Sequence, residues 1–420
     1  MAALQFHPLR FPSLPRLMDL MVAALASAII LDTWAGYAGF LSPLITILAA
    51  ALGYFIYTRL EEHALPARET ISFPARLVML FIIAAAGFVL FGLGHGFDLS
   101  ADAAPVYTAY QISNHIPLTY APVLDLPFFY PPGVPALIST LGFLSIPLYQ
   151  LAWAAGLVGI LLMLAYLSRV GESMNIPSIG ILLIPFLFLG VRLPFLSLLT
   201  GEYPLLMSLG LGLAGWHWFA RRPILAGVAL GASILSHPYG ALSIFLGIVC
   251  THPSIWKQWK TMLVMGVAAF PAVFFQFLPY LHVEKKAVLE SHIFGWGDIT
   301  GMIFLIGIIP ILVWGVGSSV RLARGQKFFQ NEMKYPIILF GVGAAGYLAG
   351  LAFPSFVFGP KLLVLASLGA VLGAAYECSR FLTPHTWKAG AVVILLMSVG
   401  VVVTSPNLIH LANGSKSPLE

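Results

Sequence analysis

Ionisable side chains are almost absent from long stretches of this chain, and they gather instead at the Pro- and Gly-containing breaks between apolar runs. Only 9% of the residues are charged and 59% are hydrophobic, whereas a soluble domain carries about 25% charged residues. A water-soluble enzyme is thereby excluded. A spanning helix needs about 20 apolar residues, and the runs lie near 17–36, 40–58, 76–95, 149–168, 176–191, 203–220, 223–236, 239–251, 261–281, 301–320, 335–353, 361–378 and 388–405. The pair 223–236 and 239–251 is short for spanning and fits one tilted or broken unit. The expected fold is an all-α polytopic membrane protein with about 13 transmembrane helices.

The basic residues give the orientation. With the N-terminus in the cytoplasm, all of the 21 Lys and Arg fall inside except Arg192, Lys285, Lys286, Lys361 and Lys416, as the positive-inside rule requires. Because these cations sit at helix ends rather than on one face, the net charge of +5 and pI of about 9.1 carry no nucleic-acid reading. Arg10, Arg16 and the small residues Ala24, Ala26 and Ala28 resemble a signal peptide. Asp19 interrupts its apolar core and hydrophobicity continues beyond the cleavage point, so the segment is expected to remain as the first span. Cys250 and Cys378 make no disulfide framework.

The chain divides into an N-terminal two-helix hairpin with its cytoplasmic loop (1–75), a transmembrane module (76–405) and a short outer tail (406–420). This topology puts Asp98, Asp102, Asp125, Glu202, Glu284, Glu290 and Asp298 on the extracytoplasmic side. The interior of most spans is expected to lack ionisable residues, Asp19 being the main exception. No P-loop, dinucleotide fingerprint, zinc-spaced Cys pair or hydrolase elbow occurs.

The first large outer loop is the most informative. Asp102 precedes a segment in which Val106, Tyr107, Tyr110 and Ile112 alternate with small or polar residues, the pattern of a short helix lying in the membrane interface. Ile116-Pro117-Leu118 follows, and then Tyr130-Pro131-Pro132-Gly133, where proline marks the first turn of a second helix.

This order of Asp102, Tyr107, Ile116-Pro117-Leu118 and Tyr130-Pro131-Pro132 resembles the first loop of the GT-C superfamily of membrane glycosyltransferases, most of all its mannosyl-, glucosyl- and arabinosyltransferase branches. The resemblance implies a GT-C-like module with two interfacial helices, a polyprenyl-phosphate sugar donor, an extracytoplasmic glycan, lipid or protein acceptor, and inverting transfer of a hexose or pentose. It implies Asp102 as the base, with Asp98 as the alternative, and Tyr107 and Tyr130 beside the substrate. Related enzymes carry a basic residue against the carrier phosphate near the outer start of a late span, a place held here by Lys361, with Arg192 or His237 expected to help it stabilise the departing phosphate. They also carry a second acidic position, held here by Glu202. Glu202 would orient the acceptor or, with Asp102, hold a divalent cation.

Simpler readings exist for each residue. Glu202 can pair with Arg192 in a solvated loop, and Lys361 can snorkel to the interface. His237, between two short spans in Ser236-His237-Pro238-Tyr239-Gly240, is either a phosphate contact or a turn residue. His217, between Trp216 and Trp218, reads as an interface anchor. The mixed-charge segment 282–300 reads as a substrate-gating loop and lacks metal-ligand spacing. The rival functions are a transporter or flippase for a lipid-linked or anionic solute, and a non-catalytic membrane subunit. The expected location is the plasma membrane, multi-pass, among membrane lipids and with the site facing outward.

Overall fold

Proline and glycine set where the helices of this protein start, stop and touch. The structure is a computed structural model that describes residues 14–61, 104–116, 120–121, 126–127, 131–191, 193–199, 202–252, 254–277, 299–326, 333–352 and 359–382, with scattered positions between 386 and 394. The regular structure among the described residues is helical apart from one two-residue antiparallel pairing, Tyr120 opposite Pro127 and Ala121 opposite Leu126.

Helix α1 (Leu14–Ala38) ends at Gly39, whose φ of 76° lets the chain reverse, and Pro43 opens α2 (Pro43–Glu61). A Cβ on Gly53 would strike the Ala23 backbone, so these two helices form a tight hairpin. The loop expected on the outer side contributes α3 (Ala104–Ser113) and, directly after Pro131-Pro132, α4 (Gly133–Leu141). Both helices expected in that loop are therefore present.

The centre is built by α5 (Leu148–Ser173), α6 (Ser178–Leu189), α8 (Tyr203–Trp218), α9 (Pro223–Ser236), α10 (Pro238–Thr251) and α15 (Gly359–Phe381), with the seven-residue α7 (Leu193–Leu199) leading into α8. Gly159 on α5 and Gly210 on α8 have no room for a Cβ against one another's helix, which brings the two axes close. Around this core run α11 (Trp259–Phe277), α12 (Ile299–Ile306), α13 (Ile308–Ala323) and α14 (Lys334–Ala352). The outer faces of α2 and α11 leave Leu44, Ile47, Leu48, Phe55, Leu263, Val267 and Phe270 exposed. Apolar faces of this kind suit lipid rather than water.

Four of the described helices are long and apolar enough to cross a membrane: Leu17–Ala38, Pro43–Leu60, Leu148–Ser173 and Lys361–Phe381. A fifth is gained if Pro238–Thr251 and Ile255–Phe274, bent by 108° at their break, count as one span. This corrects the expectation of thirteen full spans. Several apolar runs form shorter helices, among them Ser178–Leu189, Pro223–Ser236 and Ile308–Ala323. A 14-residue helix such as α9 reaches only about 21 Å, against a hydrocarbon core of about 30 Å. The run expected at 301–320 breaks at Gly307, whose φ is 103°. The run expected at 76–95 lies outside the described residues. The chain is thus an all-helical protein with several candidate spans, as a multi-pass membrane protein requires.

Candidate functional site

The start of α8 fixes Glu202. It is the residue before the helix, its backbone N–H donates to Ser197 O at 2.8 Å, and its side chain makes no cap to its own helix. The carboxylate turns away instead, with Oε2 accepting from Ser197 Oγ at 3.0 Å and Oε1 3.5 Å from Lys361 Nζ. Glu202 is 5% exposed.

The break between α9 and α10 fixes His237. A residue before proline is pushed out of the helical region, and His237 before Pro238 is extended, with φ −162° and ψ 112°. Its carbonyl accepts from Ser208 Oγ at 2.8 Å, which ties the break to α8. Gly240 permits this approach, because a Cβ there would lie 2.5 Å from Ser208 Oγ.

Lys361, in the first turn of α15, completes the cluster. Its Nζ is 3.1 Å from His237 Nε2 and 5.4 Å from the centroid of the Tyr239 ring, and its carbonyl accepts from Ser243 Oγ. An ammonium can only donate, so His237 accepts at Nε2 and carries its proton at Nδ1. Nδ1 is buried and has no hydrogen-bond partner among the described residues. Burial first, and the Lys361 charge second, hold the imidazole well below its usual protonation range, so His237 is neutral.

Three helix N-termini, those of α8, α10 and α15, therefore meet around Glu202, His237 and Lys361. Their dipoles favour negative charge and disfavour a cation such as Lys361. Glu202 offsets that cost. The arrangement suits a bound anion that competes with, or lies beside, the Glu202 carboxylate. Both oxygens of Glu202 are engaged by donors, one of them an ammonium, and Asp102, the other ligand expected for a divalent cation, lies outside the described residues. Among the described residues no group of three His, Cys, Asp or Glu gathers.

The structure thus brings Glu202, His237 and Lys361 together from distant segments. Glu202 pairs with Lys361, whereas Arg192 lies outside the described residues, as do Asp98, Asp102, Tyr130 and the segment 282–298. Tyr107 stands on α3, stacked on Tyr110 with ring centroids 6.5 Å apart, and α3 packs on α1, α4 and α5. The same loop packs against the end of α9 through α4. A Cβ on Gly133 would lie 2.8 Å from the Leu235 carbonyl, two residues before His237.

Sequence reasoning missed two buried carboxylates in candidate spans, which add to the exception expected at Asp19. Asp32 is fully buried in α1, with Thr46 Oγ1 2.9 Å from both carboxylate oxygens. Glu377 is fully buried in α15, paired with Arg321 Nη2 at 2.9 Å and accepting from Ser318 Oγ at 3.1 Å. A single acidic letter in each apolar run was the available signal. The ring of His217, which is half-buried, packs on Tyr166 with centroids 6.0 Å apart. Comparison of the chain with protein-family models and with curated proteins gives no match.

Proposed function

We propose that this protein is a membrane glycosyltransferase that moves a sugar from a polyprenyl-phosphate donor to an extracytoplasmic acceptor. The observation carrying this reading is the meeting of Lys361, His237 and Glu202 beneath three helix N-termini, a ready-made place for the phosphate of the carrier. The pattern of the first outer loop supplies the remainder. Asp102 takes the proton of the acceptor hydroxyl as its oxygen bonds to the anomeric carbon, and the bond from that carbon to the phosphate oxygen breaks with its electron pair. The anomeric centre inverts. Lys361 donates to the departing phosphate as its charge grows, and Glu202, displaced from Lys361, is free to orient the acceptor.

The test is release of polyprenyl phosphate from a panel of polyprenyl-phosphate sugars by the full chain in nanodiscs. Release by the native chain and none by Asp102→Asn is expected. Equal release by Asp102→Asn overturns the assignment of the base, and no release from any donor overturns the reaction.

A second reading, a flippase or transporter for a lipid-linked or anionic solute, is favoured by Asp32 and Glu377. Fully buried carboxylates in spanning helices are a mark of transport pathways. Movement of an intact labelled donor between leaflets, without cleavage, distinguishes it from transfer.

A further inference from the structure

Of the buried carboxylates among the described residues, Asp19, Glu202 and Glu377 each face an arginine or a lysine, and Asp32 does not. Its partners are two threonines. Thr46 of α2 places Oγ1 2.9 Å from both carboxyl oxygens, and Thr140 of α4 is the second hydrogen-bond partner. Among the described residues no charged or titratable side chain acts on it from α1, α2, α3, α4 or α9. Helices α4 and α9 carry none, Arg59 lies in the last turn of α2, and Asp19 stands about 20 Å down α1.

The hydroxyl protons decide the charge of Asp32. A threonine hydroxyl has one proton and two lone pairs. Thr140 Oγ1 gives its proton to the Ala136 carbonyl at 3.1 Å, so it turns lone pairs toward Asp32. The single proton of Thr46 is shared between the two carboxyl oxygens. An ionised Asp32 would therefore hold a full charge away from water on one hydroxyl proton, facing the lone pairs of Thr140, which is costly. A neutral acid fits instead: it accepts from Thr46 and donates its own proton to Thr140 Oγ1.

We propose that Asp32 is a proton-binding site, held as a carboxylic acid in the folded protein, and that its proton joins the N-terminal hairpin to α4. The proton comes from water and adds to the oxygen facing Thr140, with no other bond changed. Access is short, because Ser139, beside Thr140, bonds at 2.7 Å to Ser113 of α3, which is exposed. One carboxyl group and two hydroxyls fall short of the six or more oxygens that a hard metal cation takes. At its other end α4 lies with Gly133 against Leu235 of α9, so loss of the proton loosens a helix that links the hairpin to the core. The site stands on these contacts whether the chain transfers sugars or moves a solute.

The experiment is the infrared difference spectrum of the full chain in nanodiscs against Asp32→Asn at pH 5, where an ordinary aspartate, of pKa about 3.9, is ionised. A carboxylic-acid C=O band in the native chain, missing from the variant, is expected. No such band in the native chain, or an equal band in both, overturns the site. Thr140→Val, which removes the acceptor and keeps Asp32, should shift the band, and Thr140→Ser should leave it in place. An unmoved band in Thr140→Val overturns the link to α4. Melting temperatures read the linked stability. An acid that keeps its proton on folding stabilises the protein at low pH, and the gain is lost as pH rises. Relative to Asp32→Asn, the unfolding constant of the native chain should therefore grow about tenfold per pH unit above about pH 4, until the folded Asp32 ionises. Parallel curves overturn the proposal. A stabilisation by Na+ over choline that Asp32→Asn removes would make the ligand a metal cation and overturn the proton.

Discussion

Lys361 Nζ stands 3.1 Å from His237 Nε2 although the two residues are 124 positions apart in the chain. Only the packing of α15 against α10 brings them together, and Glu202 at the start of α8 closes the group from a third side. The first consequence concerns coupling. Lys361→Gln removes the counter-ion of a carboxylate that is 5% exposed, and should cost about 1–3 kcal/mol of stability, below the range for fully buried pairs. Glu202→Gln combined with Lys361→Gln should cost less than the two single variants added together. A double-mutant cycle on thermal denaturation reads the difference, and strict additivity would show that the pair does not interact.

The neutral state of His237 predicts a pH dependence. Burial, aided by the Lys361 charge, gives His237 a lower proton affinity in the folded protein than in the unfolded chain. Its contribution to stability is therefore complete above the unfolded value of about 6.5 and is lost as pH falls below it, by about 1.4 kcal/mol per pH unit. Melting temperatures of the native chain and His237→Gln should diverge between pH 7 and pH 5, with the variant less sensitive to acid. Parallel curves would mean that His237 takes up its proton freely in the folded state.

Gly240 marks how closely α10 lies on α8. Gly240→Ala places a methyl group 2.5 Å from Ser208 Oγ and 2.9 Å from Ser208 Cβ. Ser208 cannot yield cheaply, since it bonds to the His237 carbonyl and to Ser233. The variant should lose about 1–3 kcal/mol through overpacking, and Ser208→Gly in the same chain should restore part of it. Thermal denaturation of the single and double variants checks both statements.

The buried pair of α13 and α15 should show the asymmetry of ion pairs in apolar surroundings. Arg321 is 1% exposed and Glu377 fully buried, and Glu377 Oε2 has no hydrogen-bond partner among the described residues. Arg321→Met strands the carboxylate and should cost about 3–5 kcal/mol, while Arg321→Met with Glu377→Leu should cost much less. Denaturation of the two variants side by side provides the comparison.

Much of this arrangement can be read from the chain itself, and the limits have physical causes. Pro131-Pro132 and the spacing of Val106, Tyr107 and Tyr110 are local signals, and α3 and α4 form where those signals put them. Lys361, Glu202 and His237 stand out singly, because each is a polar residue at the end of an apolar run. Their meeting is tertiary information. It depends on glycines such as Gly240 and Gly210 that let helices approach, and no spacing along one segment encodes it. The number of spans is overestimated because hydropathy ignores breaks such as Gly307, whereas the shortness of 223–236 is legible in the sequence. Asp32 and Glu377 escape notice because one carboxylate barely alters the hydropathy of its run, whereas the partners that make it tolerable, Thr46 and Arg321, lie on other helices.

The most direct measurement of the central claim is the affinity of the full chain in nanodiscs for polyprenyl phosphate without a sugar, compared among the native protein, Lys361→Arg and Lys361→Gln. Lys361→Arg, which keeps the charge, should bind within a few-fold of the native chain, and Lys361→Gln about 10-fold or more weakly, the loss of a charge-assisted hydrogen bond to phosphate. Equal affinity in all three would contradict the assignment of the Glu202, His237 and Lys361 cluster as the seat of the carrier phosphate.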